Sequence, residues 1–408
     1  MTAERTRPTP TGPLKGIRIV DMTSVLMGPF ATQILADYGA DVIKIESEQG
    51  DLLRLGGAMR NPKMGALYLQ SNRNKRSAVL DVKSRDGHEA VLKLCETADV
   101  FISNVRPAAM ARAGLDYDTI RARNAGIVYA SLVGYGQAGP YAQRPAYDDL
   151  IQGISGTPWL TGQVLGGSPQ YVPLTMADKV AGLNAAHAIL AALVYKGRTG
   201  EGQSIEVPMF EIMSQFVLTD HIGGYSFEPQ HGPIGYNRLT SPDRRPYQTS
   251  DGYLSVLVYT DGHWKSFFDI LGRPEQFRAQ PVFHDHATRT RNYDTVYKLL
   301  ADEMRKMTSA QWMVLLEKHD IPWAPCHSIE ELVADPHLKA VGMFETIEHP
   351  TEGTLRMIAP AIKFSKTPAS IYRYPPSLGE HTGEVLAECG MGPVEAHKPA
   401  AGAEEIPA

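Results

Sequence analysis

The sequence predicts an α/β protein in which helices cover a mostly parallel sheet, followed by a second domain. Apolar runs of strand length alternate with helical patterns through the first half of the chain, which is typical of such a sheet. Near residue 225 the composition shifts toward proline, glycine and arginine, and no period is sustained. The length of 408 residues also exceeds the size at which single cores stop growing, so we expect two domains.

Each predicted element of the first half rests on hydrophobic periodicity and flanking residues. A βαβ opening consists of a strand at 16–22, a helix within the segment 28–40 that ends on Gly39, and a strand at 41–46. The later elements are a strand at 76–82, a helix at 85–98, strands at 99–104 and 126–132, a helix at 178–196, a strand at 204–208 and a helix at 209–224. Alanine and glycine occupy most sides of the helix at 178–196, which predicts close backbone packing.

The second half begins with a linker predicted at 225–245. Its further elements are strands at 246–250 and 252–258, helices at 262–272, 292–307 and 309–319, and strands at 343–349 and 353–359, where the chain returns to sheet. Residues 1–13 are predicted to be a flexible arm. Residues 393–408 lack apolar content and are predicted to be a disordered tail.

The bulk composition excludes several partners. A net charge of -5 and an isoelectric point near 6.2 leave no broad basic field, so we expect no nucleic-acid partner. Three widely spaced cysteines, an odd number, suit a reducing compartment better than a disulfide framework. We find no signal peptide and no uncharged apolar run of membrane-spanning length, so we expect a soluble, cytoplasmic protein without a membrane partner.

The stretch "GYGQAGP" follows a predicted strand and places Gly134, Gly136 and Gly139 at the spacing of a dinucleotide-binding motif. In that motif the third glycine opens a helix, whose free N–H groups receive the pyrophosphate. Here Gly139 leads into Pro140, and a second proline follows at Pro145. The flanking sequence therefore predicts an extended loop rather than a nucleotide site.

Common catalytic motifs are missing from the sequence. It has no G-x-x-x-x-G-K-[ST] phosphate loop, no metal-binding pattern of histidine or cysteine, and no G-x-S-x-G serine elbow. We therefore expect no metal site. One acid stands out, Asp178, where an apolar loop meets the small-residue helix. It is either an N-cap or a nucleophile kept ionised by the positive end of the helix, and its position alone does not separate these roles.

Several blocks of the chain resemble the class III CoA-transferases, the family that includes formyl-CoA transferase and carnitine CoA-transferase. The most specific blocks are "GIRIVDMTSVLMGPFATQILADYGADVIKIE", "GYGQAGPYAQRPAYDDLIQGISG", "MADKVAGL", "KGRTGEGQSIEVPMFE" and "IEELVADPHLKAVGMFE". The resemblance implies a large Rossmann-like, CoA-binding domain at 14–224, a smaller α+β domain at 246–330 and a return to the large domain at 331–392. It also implies an intertwined homodimer of ring-like subunits.

The resemblance makes Asp178 the covalent nucleophile of an acyl-CoA:carboxylate CoA-transferase. In the family this aspartate forms a mixed anhydride with the donor acyl group and then an aspartyl-CoA thioester, which the acceptor acid attacks. One thioester replaces another, so no ATP is needed, which agrees with the missing phosphate loop. The implied substrates are acyl-CoA and a carboxylic acid, and no cofactor is permanently bound. An arginine fork from Arg238, Arg244 and Arg245 would suit a dicarboxylic donor, so succinyl-CoA is favoured.

The resemblance also implies where CoA binds. The positions concerned are Leu26, Met27, Leu80, Lys83, Asn104, Val105, Arg112, Tyr147 and Asp148. Formyl-CoA transferase has an arginine where Ser47 stands, and carnitine CoA-transferase a lysine where Val105 stands, so some phosphate contacts must differ. Arg106 and Lys83 are candidates to replace them, although each is also an ordinary surface charge.

Two alternatives remain open from the sequence. The arginines of the linker, Arg238, Arg244 and Arg245, either bind a substrate carboxylate or form ion pairs within the protein. The family fold also hosts 2-methylacyl-CoA racemases, which use a histidine where this chain has Tyr147. A phenol is a poor substitute for imidazole as an acid/base group at neutral pH, so CoA transfer is favoured.

Overall fold

The computed structural model describes residues 9–392, so the tail predicted at 393–408 and the first eight residues of the predicted arm lie outside the described part. The strands are β1 Arg18–Met22, β2 Asp41–Glu46, β3 Lys75–Val79, β4 Val100–Ser103, β5 Val128–Val133, β6 Ser204–Pro208, β7 Tyr247–Gln248, β8 Tyr253–Val256, β9 Trp323–Pro325, β10 Phe344–His349 and β11 Gly353–Ile358. The helices of the first half are α1 Met27–Asp37, α2 Ala66–Ser71, α3 Arg85–Thr97, α4 Pro107–Arg112, α5 Tyr117–Arg123, α6 Asp148–Ile154, α7 Thr157–Leu165, α8 Met176–Thr199 and α9 Met209–His221. Those of the second half are α10 Asn237–Thr240, α11 Asp261–Ile270, α12 Pro274–Ala279, α13 His286–Thr290, α14 Tyr293–Met304, α15 Ser309–Lys318, α16 Ile329–Ala334, α17 Pro336–Ala340 and α18 Thr382–Glu388.

The chain divides into two compact units. Of the described residues, the first contains 9–155, 174–214 and 339–392, and the second contains 156–173 and 215–338. This division differs from the predicted limits, because the segment 156–173 leaves the first unit and the second boundary falls inside α9 rather than after it. The predicted linker also contains regular structure, a 3-10 turn at Gly223–Ser226 and the short helix α10.

A six-stranded sheet forms the centre of the first unit, with the strand order β3-β2-β1-β4-β5-β6. All five neighbouring pairs are parallel, which confirms the predicted helix-covered parallel sheet. This order is that of doubly wound Rossmann-like folds. The chain changes direction along the sheet between β1 and β4, and the carboxyl ends of those strands are where such folds bind ligands.

Two apolar clusters make up the core of the first unit. One joins α1 and α8 to the sheet, and the other joins α3 and α18 to it. The small residues of α8 allow close approach, since a β-carbon at Gly182 would lie 2.7 Å from the carbonyl oxygen of Met27. Within residues 9–392, α8 is the one helix that could cross a membrane by length and composition. A core helix has the same composition, and Ala181, Ala185 and Ala192 of α8 are buried in the first cluster.

The C-terminal part of the first unit closes the edge of the sheet at β3. The side-chain oxygen of Asn74, just before β3, accepts hydrogen bonds from the backbone N–H groups of Tyr372 and Arg373, each at 2.8 Å. Arg76 of β3 forms an ion pair with Glu388 of α18 at 2.6 Å. Residues about 300 positions apart in sequence therefore complete one element.

The second unit has its own core. Its strands β7, β8 and β9 form an antiparallel sheet, of which β7 is shorter than the strand predicted at 246–250. Aromatic side chains dominate the interior, and the rings of Phe267 and Trp312 stack with their centroids 5.9 Å apart. The antiparallel hairpin β10–β11 belongs to the first unit.

Candidate active site

A cavity of about 300 Å³ opens at the carboxyl ends of β1, β4 and β5, at the switch point of the sheet. The six predicted site residues that line it are Leu26, Met27, Asn104, Tyr147, Asp148 and Asp178. They come from four separate parts of the chain, the loops after the three strands and the start of α8. The fold thus brings the predicted nucleophile together with most of the predicted CoA-binding positions.

Asp178 is the third residue of α8, and its side chain is half-buried. The N-cap residue is Thr175, whose side chain makes no capping hydrogen bond. The alternative in which Asp178 is the N-cap is therefore wrong. Instead, the backbone N–H of Asp178 donates to Oδ1 of Asp148 at 3.0 Å, so a carboxylate from α6 satisfies one of the free amides at the start of α8.

Asp148 is the first residue of α6 and is almost fully buried. Its second oxygen, Oδ2, accepts a hydrogen bond of 2.6 Å from Nε2 of Gln152, one helical turn later. The same Gln152 nitrogen donates to the carbonyl oxygen of Leu174, just before α8, at 3.1 Å. Asp148 and Gln152 together tie the start of α6 to the start of α8, which fixes the backbone that carries Asp178.

The environment raises the pKa of Asp178 from its ordinary value of 3.8 to about 7. Burial is the largest cause, the negative charge of Asp148 is the second, and Lys179 opposes both. We expected the helix terminus to keep this acid ionised, and the difference arises because burial and Asp148 favour the neutral form. Both protonation states are accessible near neutral pH, and the ionised state is a carboxylate nucleophile.

The loop after β5 is held by two glutamates. The N–H of Gly136 donates to Oε1 of Glu211 at 2.8 Å, and the N–H of Gln137 donates to Oε1 of Glu206 at 3.1 Å. No helix begins at Gly139, as the sequence predicts, and α6 begins nine residues later, at Asp148. The amides that a dinucleotide would need are therefore occupied by carboxylates of the protein itself.

Gly134 allows the two ends of this loop to meet. A β-carbon at Gly134 would lie 2.1 Å from the β-carbon of Ala146, closer than any two such atoms can approach. Ala146 immediately precedes Tyr147, the N-cap residue of α6, whose ring remains 66% exposed at the cavity. The contact at Gly134 thus determines where Tyr147 and Asp148 lie.

The loop between β1 and α1 is clamped from two sides. The side-chain amide of Asn104 makes two hydrogen bonds to the backbone of Ser24. Its oxygen accepts from the Ser24 N–H at 3.0 Å, and its nitrogen donates to the Ser24 carbonyl oxygen at 2.9 Å. On the other side, Oδ1 of Asp51 accepts from the N–H of Val25 at 3.0 Å, and Val25 has a left-handed φ of 67°. The clamps hold strained backbone at the entrance to α1, next to the cavity.

A buried lysine supports the second clamp. The ammonium group of Lys44 lies 2.8 Å from Oδ2 of Asp51 and donates to the carbonyl oxygen of Thr23 at 2.7 Å. Lys44 is fully buried in β2, and the nearby carboxylates, Asp51 first, raise its pKa despite burial. Lys44 therefore remains charged beneath the loop and holds Asp51 in place.

A second cavity of about 560 Å³ lies at the carboxyl ends of β2 and β3. It is lined by the predicted residues Leu80, Lys83 and Val105, and it shares Ser24 and Leu52 with the first cavity. Of the two cations proposed to replace missing phosphate contacts, Arg106 lines the first cavity and Lys83 the second. Within residues 9–392, no group of three histidine, cysteine or acidic side chains could hold a metal ion.

Comparison with known proteins identifies the family. The sequence profile of CoA-transferase family III matches residues 14–382. The chain belongs to this family.

Individual relatives agree with this assignment. The chain is 35% identical to a succinate–glutarate CoA-transferase of Agrobacterium fabrum, over 92% of this chain and 95% of that one. It is 34% identical to a formyl-CoA:oxalate CoA-transferase of Streptomyces avermitilis, over 94% and 97% of the two chains. The crystal structure of a CAIB/BAIF family protein from Brucella suis matches with a TM-score of 0.78 and 31% identity, covering 93% of this chain and all of that one. The protein is therefore a class III CoA-transferase, an enzyme whose substrates are CoA thioesters.

Four predicted residues of this CoA-transferase line neither of the two cavities. Arg112 is exposed in the last turn of α4 and lines neither of them. Arg238, Arg244 and Arg245 belong to the second compact unit. There Nε of Arg238 donates to the hydroxyl of Tyr297 at 3.0 Å, Arg245 forms an ion pair of 3.4 Å with Asp243, and Arg244 is exposed.

The sequence analysis did not single out four side chains that shape the candidate site. Gln152 could have been noticed, because it follows Asp148 at the i, i+4 spacing that places both on one face of a helix. Lys44 interrupts the apolar run of β2, and a lysine in a buried strand requires a partner. The roles of Glu206 and Glu211 had no signal, because they lie about seventy residues after the loop that they hold.

Proposed function

We propose that this enzyme moves CoA from a donor acyl-CoA, with succinyl-CoA or a similar ester favoured, to a carboxylic acid through covalent intermediates on Asp178. The observation that carries the proposal is the position of Asp178, a half-buried carboxylate with a pKa of about 7 in the cavity at the sheet's switch point. The name of the succinate–glutarate CoA-transferase relative supports the choice of acids.

The first half of the reaction makes an enzyme-bound thioester. Ionised Asp178 attacks the carbonyl carbon of the donor thioester, the C–S bond breaks, and CoA leaves as a thiolate while a mixed anhydride forms. The thiolate then attacks the side-chain carbonyl of Asp178 and expels the donor acid as a carboxylate. The product is an aspartyl-CoA thioester, and no proton is gained or lost.

The second half reverses these steps with the acceptor acid. The acceptor carboxylate attacks the aspartyl thioester and CoA leaves as a thiolate. The thiolate then attacks the acyl carbon of the new anhydride, whose C–O bond breaks to release the new acyl-CoA and the Asp178 carboxylate. Water would hydrolyse both intermediates, and the partial burial of Asp178 reduces the access of water to them. The hydrogen bonds on Ser24 and Val25 hold the loop before α1 in one conformation beside this cavity, so the loop need not reorganise during the reaction.

CoA is proposed to extend across both cavities. Its thiol must reach Asp178 in the first cavity, so the adenosine end occupies the second, beside Leu80 and Lys83. Lys83 would then neutralise the 3'-phosphate, and Arg106 the diphosphate near the border between the cavities. We propose Tyr147 as a contact to the acyl end, and Arg112 as an outer contact to the phosphates.

We also propose an intertwined, cytoplasmic homodimer of ring-like subunits. Large apolar side chains on α8 support a partner, since Leu183 and Val194 are each more than half exposed. On α9, Phe216 is 51% exposed as well. Light scattering at micromolar protein should give twice the mass of one chain, and a monomeric mass would refute the dimer.

Incubation of the protein with succinyl-CoA and a panel of acids tests the proposed reaction. Mass spectrometry should detect a new CoA ester for at least one acid, together with released succinate. Asp178→Ala should abolish the exchange, whereas Asp149→Asn, which changes an exposed acid outside the cavity, should retain it. Full activity of Asp178→Ala would exclude the covalent mechanism. Deuterium incorporation next to the carbonyl of a 2-methylacyl-CoA without any acceptor would instead favour a racemase.

A further inference from the structure

Arg144 is a positively charged residue that lines the first cavity, and the proposed reaction gives it no role. Among the residues that line this cavity, Arg106 and Arg144 carry positive charge, and Asp148 and Asp178 carry the negative charge. Arg144 lies in the loop after β5, three residues before Tyr147. We propose that Arg144 binds the remote carboxylate of a dicarboxylic substrate while the other carboxylate reacts at Asp178. This inference rests on the proposed function.

The guanidinium of Arg144 is held in place without being neutralised. Its central carbon lies 4.0 Å from the centre of the Tyr141 ring. The Tyr141 ring packs edge-on against the buried Tyr135, at 5.6 Å between centroids, which anchors the stack to the core. Within residues 9–392, no carboxylate oxygen lies within 4.0 Å of the Arg144 nitrogens. Stacking uses only the face of the guanidinium, so its in-plane N–H groups remain available to a carboxylate.

Charge balance in the cavity supports the same role. A dicarboxylate brings one negative charge more than a monocarboxylate into a cavity that already contains Asp148, while Asp178 is an uncharged thioester when the acceptor binds. A cation beside the second carboxylate offsets its repulsion by Asp148. An arginine can bind a carboxylate with two parallel hydrogen bonds, and this geometry also fixes the orientation of the acid.

The position of the two arginines separates their roles. Arg106 directly follows Val105, which lines the second cavity, and so lies where the diphosphate of CoA would cross between the cavities. Arg144 lines the first cavity alone and belongs to the loop that leads into Tyr147 and Asp148. Arg144 is therefore assigned to the acid, and Arg106 to CoA. Arg238 of the second unit is the competing candidate for the acid.

Acceptor selectivity tests this assignment. With succinyl-CoA as the fixed donor, kcat/KM is measured for glutarate and for valerate, a monocarboxylic acid of the same chain length. Arg144→Met should lower the glutarate-to-valerate ratio by about 30-fold, because it removes a charge-assisted contact that only glutarate can make. Arg144→Lys should restore part of the ratio. Arg106→Met and Gln143→Met, a neighbouring exposed residue outside the cavity, should leave it unchanged.

Three outcomes overturn the inference while leaving the proposed reaction in place. The ratio in Arg144→Met stays at the wild-type value, or both acceptors lose activity equally, or the ratio falls in Arg238→Met instead. A binding measurement separates this inference from failure of the reaction itself. Calorimetry can measure the binding of glutarate to the Asp178→Asn protein in the presence of free CoA, because this binding needs no turnover. If Arg144→Met in the Asp178→Asn protein weakens glutarate binding, the inference is supported. Unchanged glutarate binding overturns it.

Discussion

The backbone N–H of Asp178 donates a hydrogen bond to the carboxylate of Asp148, with 3.0 Å between nitrogen and Oδ1. The same carboxylate that positions the helix start also raises the pKa of the Asp178 side chain, because both acids share one cavity. Asp148 therefore both positions the proposed nucleophile and adds to the effect of burial on its acidity.

Asp148→Asn should shift the pH dependence of CoA transfer. An asparagine can still accept from the N–H of Asp178, but it removes the negative charge that favours protonation of Asp178. In the proposed mechanism the ionised form of Asp178 is the nucleophile, so activity should rise with pH through about 7 in the wild type. In the variant, the midpoint of kcat/KM should fall by roughly one pH unit. Asp149→Asn provides the control, and an unchanged midpoint in Asp148→Asn would show that Asp148 does not tune Asp178.

At neutral pH, Asp178→Asn should have a higher free energy of unfolding than the wild type. At acid pH this difference should disappear. The pKa of Asp178 is about 7 when folded and near its ordinary 3.8 when unfolded, so folding favours the protonated acid. At about pH 4 and below, the two proteins should have nearly equal free energies of unfolding. As the pH rises to 7 the wild type should lose about 1 to 3 kcal/mol relative to the variant, with allowance for solvent screening. Urea unfolding at several pH values measures this, and a constant difference would contradict the raised pKa.

Asn104→Ala should weaken use of the CoA ester more than it weakens the fold. The change removes both hydrogen bonds that hold Ser24, whereas the clamp of Asp51 on Val25 remains. We expect the free energy of unfolding to fall by about 1 to 2 kcal/mol. The rise in KM for the CoA ester should correspond to a larger change in free energy. Steady-state kinetics and thermal melting report the two effects separately. A normal KM would mean that the loop needs only the Asp51 clamp.

Gly134→Ala should lower kcat by displacing Tyr147 and Asp148. The added methyl group would occupy the space of the Ala146 β-carbon, so the loop ends must separate. Pairing it with Ala146→Gly should recover part of the activity, because the second change reopens that space. Gly153→Ala is a suitable control, since its added methyl group would meet no neighbouring atom within 4 Å. Wild-type kcat in Gly134→Ala would show that the loop absorbs the change without moving the site.

The elements predicted correctly from the sequence are those with a clear hydrophobic pattern over consecutive residues. Strands β2 and β6 begin and end where predicted, and α8 extends the predicted helix by only a few residues at each end. The short helices α2 and α7 were missed, because six to nine residues carry too little periodicity. Asp178 was predicted as a site residue from its helix start and the family resemblance, but the charge of Asp148 that acts on it from another helix was not predicted.

The closure of the β3 edge by Tyr372, Arg373 and Glu388 has a consequence for protein synthesis. A chain still on the ribosome has made β3 and the five other strands of the sheet long before it makes these residues. Until then the edge near Asn74 and Arg76 has no covering, and unpaired strand edges promote aggregation. We expect that stalled chains ending before residue 372 will be digested rapidly by protease, and that this segment's release from the ribosome will be the step that makes the first unit resistant.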